Sequence, residues 1–139
     1  MTNISEQKAG LDTMKPGQGV DLDVLMRANM GRVFNERNAQ HRLAALDELY
    51  ADDAILHDPE AVVTGREAIS GAVESLLSGF PPEFVFTAAG PAVGHNGVAR
   101  LFWRLGPPNG PVAVTGTDVA HVEEGRIKRL YVFVDPAAR

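Results

Sequence analysis

The chain has 139 residues, is 45% hydrophobic and 22% charged, and carries a formal net charge of −5 with no cysteine. The length suits one domain with one core, the acidic balance without a basic stripe argues against nucleic acid, and the missing cysteine excludes disulfides, thiolate metal ligands and cysteine nucleophiles. No apolar run approaches the roughly 20 residues of a membrane span, and no secretory signal pattern stands at the start, so a cytoplasmic protein is expected.

Residues 1–20 are polar and glycine-rich and are expected to form a flexible arm ahead of one domain, 21–139. Asp21 is placed to cap a first helix whose apolar stripe runs Leu22, Leu25, Met26, Met30, Val33. Asn38 is placed to cap a second helix carrying Leu43, Leu46, Leu49 and Tyr50. A strand, Ala54–Asp58, follows and is closed by Pro59, which holds its predecessor extended. Thr64-Gly65-Arg66-Glu67 reads as a capping box for a third helix with Ile69, Ala72, Val73, Leu76 and Leu77 on one stripe. Gly79 and Pro81-Pro82 end it. The remainder reads as strands: 84–93, then Val98–Leu105 after an Asn96-Gly97 hairpin turn. Val112–Val122 comes after the 106–111 loop, and Arg126–Val134 after Glu124-Gly125. Helices followed by hairpin-linked strands define an α+β protein with a mostly antiparallel sheet.

Two aspartates interrupt this apolar pattern. Alternation in a strand puts Asp58 on the face of Ala54 and Leu56. It puts Asp118 on the face of Val112, Val114, Ala120 and Val122. That face also gathers Leu101, Trp103, Leu105, Leu130, Val132 and Val134, and the helices should cover it. A carboxylate on an apolar wall loses hydration in its charged form, which raises its proton affinity. Such a group can hold, give or take a proton near neutral pH. The opposite face collects Arg100, Phe102, Arg104, Thr115, Thr117, Arg129, Tyr131 and Phe133. Aromatics mixed with arginines suit a protein–protein interface, so a homodimer through that face is expected.

Several segments are similar to one superfamily. They are Leu49-Tyr50-Ala51-Asp52-Asp53-Ala54, His57-Asp58-Pro59, Gly65-Arg66-Glu67-Ala68-Ile69, Gly94-His95-Asn96-Gly97, Thr117-Asp118-Val119 and Gly125-Arg126-Ile127. Over residues 22 to 135 the chain resembles the nuclear transport factor 2-like superfamily, in particular its SnoaL-like and ketosteroid isomerase branches. The resemblance implies a cone-shaped, cystatin-like α+β barrel: a curved sheet wrapped around three N-terminal helices, with an apolar pocket inside. It also implies that Asp58 falls on the general base of the steroid isomerases. Asp118 falls on the aspartic acid that stays protonated and donates to the oxyanion. The tyrosine expected on the first helix is Phe34 here, and the place of a supporting tyrosine on the third helix is Val73, so the phenol network is absent. Losing one oxyanion donor typically costs ~10²–10³ in kcat.

Each residue also has a plainer role. Asp before proline often starts a turn, and a mid-strand Asp can serve a structural hydrogen bond. His57 alternates to the face opposite Asp58, His95 belongs to a turn, His121 faces away from the pocket and His41 starts a helix. Their spacing gives no metal site. The preferred reading is an enzyme that moves a proton on a small apolar carbonyl compound, with Asp58 as base and Asp118 as neutral donor. Its pocket wall is Phe34, Leu56, Val73, Leu101, Trp103, Val114, Leu130, Val132 and Val134. No cofactor is needed for proton transfer. The alternatives are a non-catalytic binding module for a hydrophobic ligand, and a dimerisation domain whose interior is filled by its own side chains.

Overall fold

A computed structural model describes residues 20–137, so most of the expected arm lies outside the described residues. Among the described residues, three helices and seven strands follow in order. Helix α1 spans Leu22–Asn29, and Asp21 Oδ1 caps it by accepting from Asp23 N (3.0 Å) and Val24 N (3.1 Å). The expected stripe runs on into Val33, but the backbone does not stay α-helical. Met30–Phe34 is a π turn, closed by Asn35 N donating to Met30 O at 2.9 Å. Helix α2 spans Ala39–Leu49, and the expected Asn38 cap bonds His41 N.

Strand β1, Tyr50–Asp58, begins four residues earlier than the apolar run suggests. Tyr50 leaves the helix at φ −117°, ψ 148°. The Arg66 guanidinium holds its carbonyl through Nη2 at 2.7 Å and Nε at 3.1 Å. A short strand missed in the sequence, β2 (Ala61–Thr64), folds back on β1. Helix α3, Arg66–Ser78, lacks the expected capping box, because Thr64 is the last residue of β2, paired with Ile55. Gly65 caps the helix instead, at φ 97°, a conformation costly for any residue with a Cβ. Its N–H bonds Ala54 O at 2.8 Å.

The segment 84–93 divides into β3 (Val85–Ala88) and, after a break at Ala89–Ala92, β4 (Val93–His95). Pro91 has no N–H to give to a ladder. The neighbouring groups bond α1 instead: Arg27 Nη2 donates to Gly90 O (3.1 Å), and Ala92 N donates to Asp23 Oδ1 (2.7 Å). Strands β5 (Val98–Gly106), β6 (Val114–Glu123) and β7 (Arg126–Val134) complete the chain. The Asn96-Gly97 and Glu124-Gly125 turns both take positive φ. Val112 lies in the loop before β6 and is exposed, so it does not join the inner face.

The sheet order is β2-β1-β7-β6-β5-β3, with β4 beside β5; all pairs are antiparallel except β1 with β7. It is a curved, unclosed sheet with the helices on its inner face, an α+β nuclear transport factor 2-like fold. Val33, Leu46, Tyr50, Ala54, Ile69, Leu101, Ala120, Ile127 and Leu130 are buried in the core. Among the described residues no helix is long and apolar enough to cross a membrane.

A cationic side chain, Arg42, sits inside this core. Arg42 of α2 is 1% exposed and donates to Ser70 Oγ (2.9 Å), Glu36 O (2.6 Å) and Glu74 Oε1 (2.5 Å). It therefore pins α3 against α2. A buried cation satisfied on three sides is costly to truncate, whereas its largely exposed carboxylate partner is not. Arg42→Met is expected to lower unfolding free energy by ~2–4 kcal/mol in urea titrations. Glu74→Gln is expected to cost less than about 1 kcal/mol.

Candidate functional site

A cavity of about 730 Å³ opens between the inner face of the sheet, the π turn and α3. The sheet contributes Trp103 and Leu105 from β5, Val114 and Asp118 from β6, and Val132 and Val134 from β7. The π turn contributes Met30 and Phe34, and β3 contributes Phe86. Helix α3 presents Ala68, Gly71, Ala72 and Ser75, small enough along one stripe to leave the space open, together with Leu76. Asp58, Pro59, Glu60 and Ala61 form part of the wall at the β1–β2 turn.

Both aspartates singled out in the sequence line this cavity. The register explains how. Asp118 pairs with Val132 across β6 and β7. One step beyond the His57–Tyr131 pair of β1 and β7, Asp58 flanks Val132 from the other side. The two acids thus stand in one row across three strands. Their backbones lie about 10 Å apart, two strand spacings.

Their surroundings differ. Asp118 is 6% exposed. Its Oδ1 accepts a hydrogen bond from the Trp103 indole Nε1 at 2.9 Å. Burial pushes its pKa up to about 7, against the opposing pull of the indole N–H. Asp58 is half-buried, and its Oδ1 accepts from Glu60 N (2.8 Å) and Ala61 N (3.0 Å), which closes the turn into β2. The plainer role foreseen for an Asp before proline is therefore real for one oxygen of this group.

Of the nine wall residues expected, Phe34, Trp103, Val114, Val132 and Val134 line the cavity. Leu56, Val73, Leu101 and Leu130 do not; each is buried in the packing beneath it. Alternation assigns a face but not depth, and near the deep end of the sheet the helices already fill the space. Two wall positions absent from the expected set needed tertiary information. Phe86 comes from a strand whose limits the sequence misplaced. Met30 opens the π turn, whereas Phe34, at its end, was expected from the resemblance. Asn35, just past that turn, forms a two-way bond with β3: its Nδ2 donates to Phe86 O (2.9 Å) and its Oδ1 accepts from Phe86 N (2.7 Å). Phe34 then meets Phe86 edge-on, and Phe86 meets Trp103 edge-on at 5.2 Å. An aromatic row so leads from the π turn to Asp118.

Behind the cavity, Tyr50 and Asn29 are fully buried, and the Tyr50 hydroxyl donates to Asn29 Oδ1 at 2.6 Å. Burial, then the nearby Asp118 carboxylate, push the Tyr50 pKa well above that of a free phenol. His57 is on the outer face, stacked on Tyr131 at 4.5 Å between ring centres. The charged residues of the cavity wall are Asp58, Glu60 and Asp118, with no Lys or Arg among the described residues that line it.

A curved sheet over three helices is the architecture of a class of small α+β proteins. The SnoaL-like domain model matches residues 31–130. The chain belongs to that family. Among solved structures it resembles a candidate isomerase of the SnoaL-like family from Agrobacterium tumefaciens, at 28% identity and a TM-score of 0.75, covering 81% of this chain and 96% of that one. A candidate ketosteroid isomerase from Kribbella flavida shares the fold at 18% identity and a TM-score of 0.63, covering 84% and 79%. A candidate polyketide cyclase from Sinorhizobium meliloti does so at 19% identity and a TM-score of 0.61, covering 78% and 93%. No curated protein matches the chain.

The raised Asp118 pKa has a consequence for stability. Between the ordinary carboxylate value and about 7 the native state holds a proton that the unfolded chain releases. The stabilisation from that proton is complete below the unfolded value and is lost as pH rises through about 7. Wild type is therefore expected to lose stability between pH 4 and 8, by up to roughly 4 kcal/mol from this group. Asp118→Asn keeps an oxygen for the Trp103 N–H and carries no titrating proton. Its stability relative to wild type should rise over the same interval, read from urea denaturation at each pH.

Proposed function

We propose that this protein is a proton-transfer enzyme of the ketosteroid isomerase/SnoaL type, acting on a small, neutral, mostly apolar carbonyl compound. The observation that carries the reading is Asp118: a carboxyl group in an apolar cavity, bonded through one oxygen to Trp103, with pKa near 7. In its neutral form it donates a hydrogen bond to the oxygen of an enolate as charge develops there, against a mostly apolar wall that strengthens the bond. Asp58, one strand beyond Val132, takes the proton from the carbon α to that carbonyl. It then returns the proton to another carbon, or the enolate carbon bonds to a second carbonyl carbon and the oxygen of that carbonyl takes the proton back from Asp58 as it becomes a hydroxyl. The Glu60 and Ala61 N–H groups hold Asp58 Oδ1 and leave Oδ2 for the substrate. The all-acidic charge of the wall supports a neutral substrate over an anionic one. The chemistry needs no cofactor, and a cytoplasmic location belongs to the same reading on sequence grounds alone.

A second reading, binding without turnover, is favoured by Phe34. It lines the cavity where the steroid isomerases would carry a phenol, so no phenol stands there beside Asp118. The open cavity supports both readings over a domain filled by its own side chains.

Exchange of the α-hydrogens of a Δ5-3-ketosteroid and of smaller cyclic enones, followed by NMR in deuterated buffer, separates them. Under the enzyme reading Asp58→Asn slows exchange ~10²–10⁴-fold and Asp118→Leu ~10²–10³-fold. Phe34→Tyr raises a weak wild-type rate. Bound ligand with exchange at background in every variant would reject catalysis and leave the binding module.

We also propose a homodimer through the outer sheet face. Phe102 and Phe133 are about half exposed there, Arg100 lies 4.3 Å over the Phe102 ring, and His57 stacks on Tyr131. Light scattering at micromolar concentration is expected to give twice the chain mass, and Phe133→Lys to give the monomer. A monomeric wild type removes the proposal.

A further inference from the structure

Trp103 and Asp118 are not directly opposite each other on β5 and β6. Asp118 pairs with Leu101, and Trp103 pairs with Gly116. The indole therefore reaches its partner diagonally. It must lie across the position opposite its own backbone and extend along β6 to bring Nε1 to Asp118 Oδ1. The position it crosses has no side chain. A Cβ at Gly116 would overlap Cζ2 and Cη2 of the indole, and also the Phe133 carbonyl oxygen. Glycine inside a strand weakens it unless another group approaches closely. Here the approaching group is the donor to the buried acid. On its far side the indole meets the edge-on ring of Phe86, so it is held from two directions.

We infer that Gly116 is a positioning residue. Its missing side chain is the berth for the Trp103 indole, and the seated indole fixes Asp118 with one oxygen bonded and the other left for the cavity. The catalytic meaning of this arrangement rests on the proposed role of Asp118, but the arrangement itself is independent of turnover. The indole N–H favours the ionised form of Asp118, while burial favours the protonated form. Moving the ring away leaves burial unopposed. Other titratable groups face Asp118 from two places: Tyr50 at the start of β1, and Asp58 and Glu60 on the β1–β2 side of the cavity. The cavity-lining residues of α3, the π turn, β3, β5 and β7 carry no charge. The variants below leave Tyr50, Asp58 and Glu60 in place.

Carboxyl-carbon NMR, with the Asp118 signal assigned through Asp118→Asn, measures the titration directly. Trp103→Phe keeps a ring against Phe86 but has no N–H. It is expected to move the Asp118 midpoint upward by about one pH unit or more. Gly116→Ala, with Trp103 retained, is expected to move it in the same direction and to abolish the signal of the hydrogen-bonded indole proton. An unchanged midpoint in Trp103→Phe overturns the inference. So does a folded Gly116→Ala with midpoint and indole signal as in wild type. Should Gly116→Ala fail to fold, the same change is made together with Trp103→Leu. Recovery of the native fold identifies the indole as the obstruction. Continued failure assigns the glycine to the Phe133 carbonyl and overturns its role through Trp103. The titration needs no substrate, so it answers even for a protein inactive on every carbonyl compound tried. Failure of this inference is thereby distinguishable from failure of the proposed reaction.

Discussion

An acid carried into hydrocarbon must find a partner or keep its proton, and the site is organised around how Asp118 meets that demand. Its neighbours on the inner face of the sheet are Leu101 and Val132. Its one hydrogen-bond donor is an indole, a weaker anchor for charge than an arginine or a pair of backbone amides. The outcome is a group poised between its two protonation states near neutrality. A second charge-assisted donor would favour the anion, and loss of the indole would favour the neutral acid.

The surrounding fold keeps that compromise in place. Helix α3 must stand off from the sheet for the cavity to exist, and Arg42 sets its distance from α2 through Ser70 and Glu74. At the other side, the π turn and Asn35 bring Phe34 and Phe86 together, and Phe86 backs the indole. The polar groups are thus placed by two kinds of contact. Side-chain bonds to backbone fix where the elements sit, and edge-on aromatic packing passes that placement to Asp118. Asp58 is positioned by different means, a turn closed on its own carboxylate.

Much of this is legible in the amino-acid sequence, for identifiable reasons. Caps at Asp21 and Asn38 and the Asn96-Gly97 and Glu124-Gly125 turns are local chemistry, readable within four residues. The same is true of the period-two faces of β5 to β7, which put Asp118 inward. What was lost needs partners distant in the chain. Thr64 looks like a helix cap until β2 claims it. Tyr50 looks helical until β1 extends to it. The π turn conceals itself in an ordinary amphipathic stripe. Leu56, Val73, Leu101 and Leu130 share the correct face, yet their depth depends on how closely the helices approach. The Trp103–Asp118 bond crosses a diagonal that face assignment alone does not reveal.

The row Asp58–Val132–Asp118 turns the sheet into a ruler. Sites on adjacent strands are fixed about 4.8 Å apart, and same-face sites along one strand about 6.8 Å apart. A carboxyl group can be relocated on this wall only in such increments, because a shift of one residue sends it through to the outer side. The gap between the two acids is therefore a discrete quantity, set by backbone pairing. A molecule touching both is gauged by the lattice of the ladder before any side chain adjusts to it.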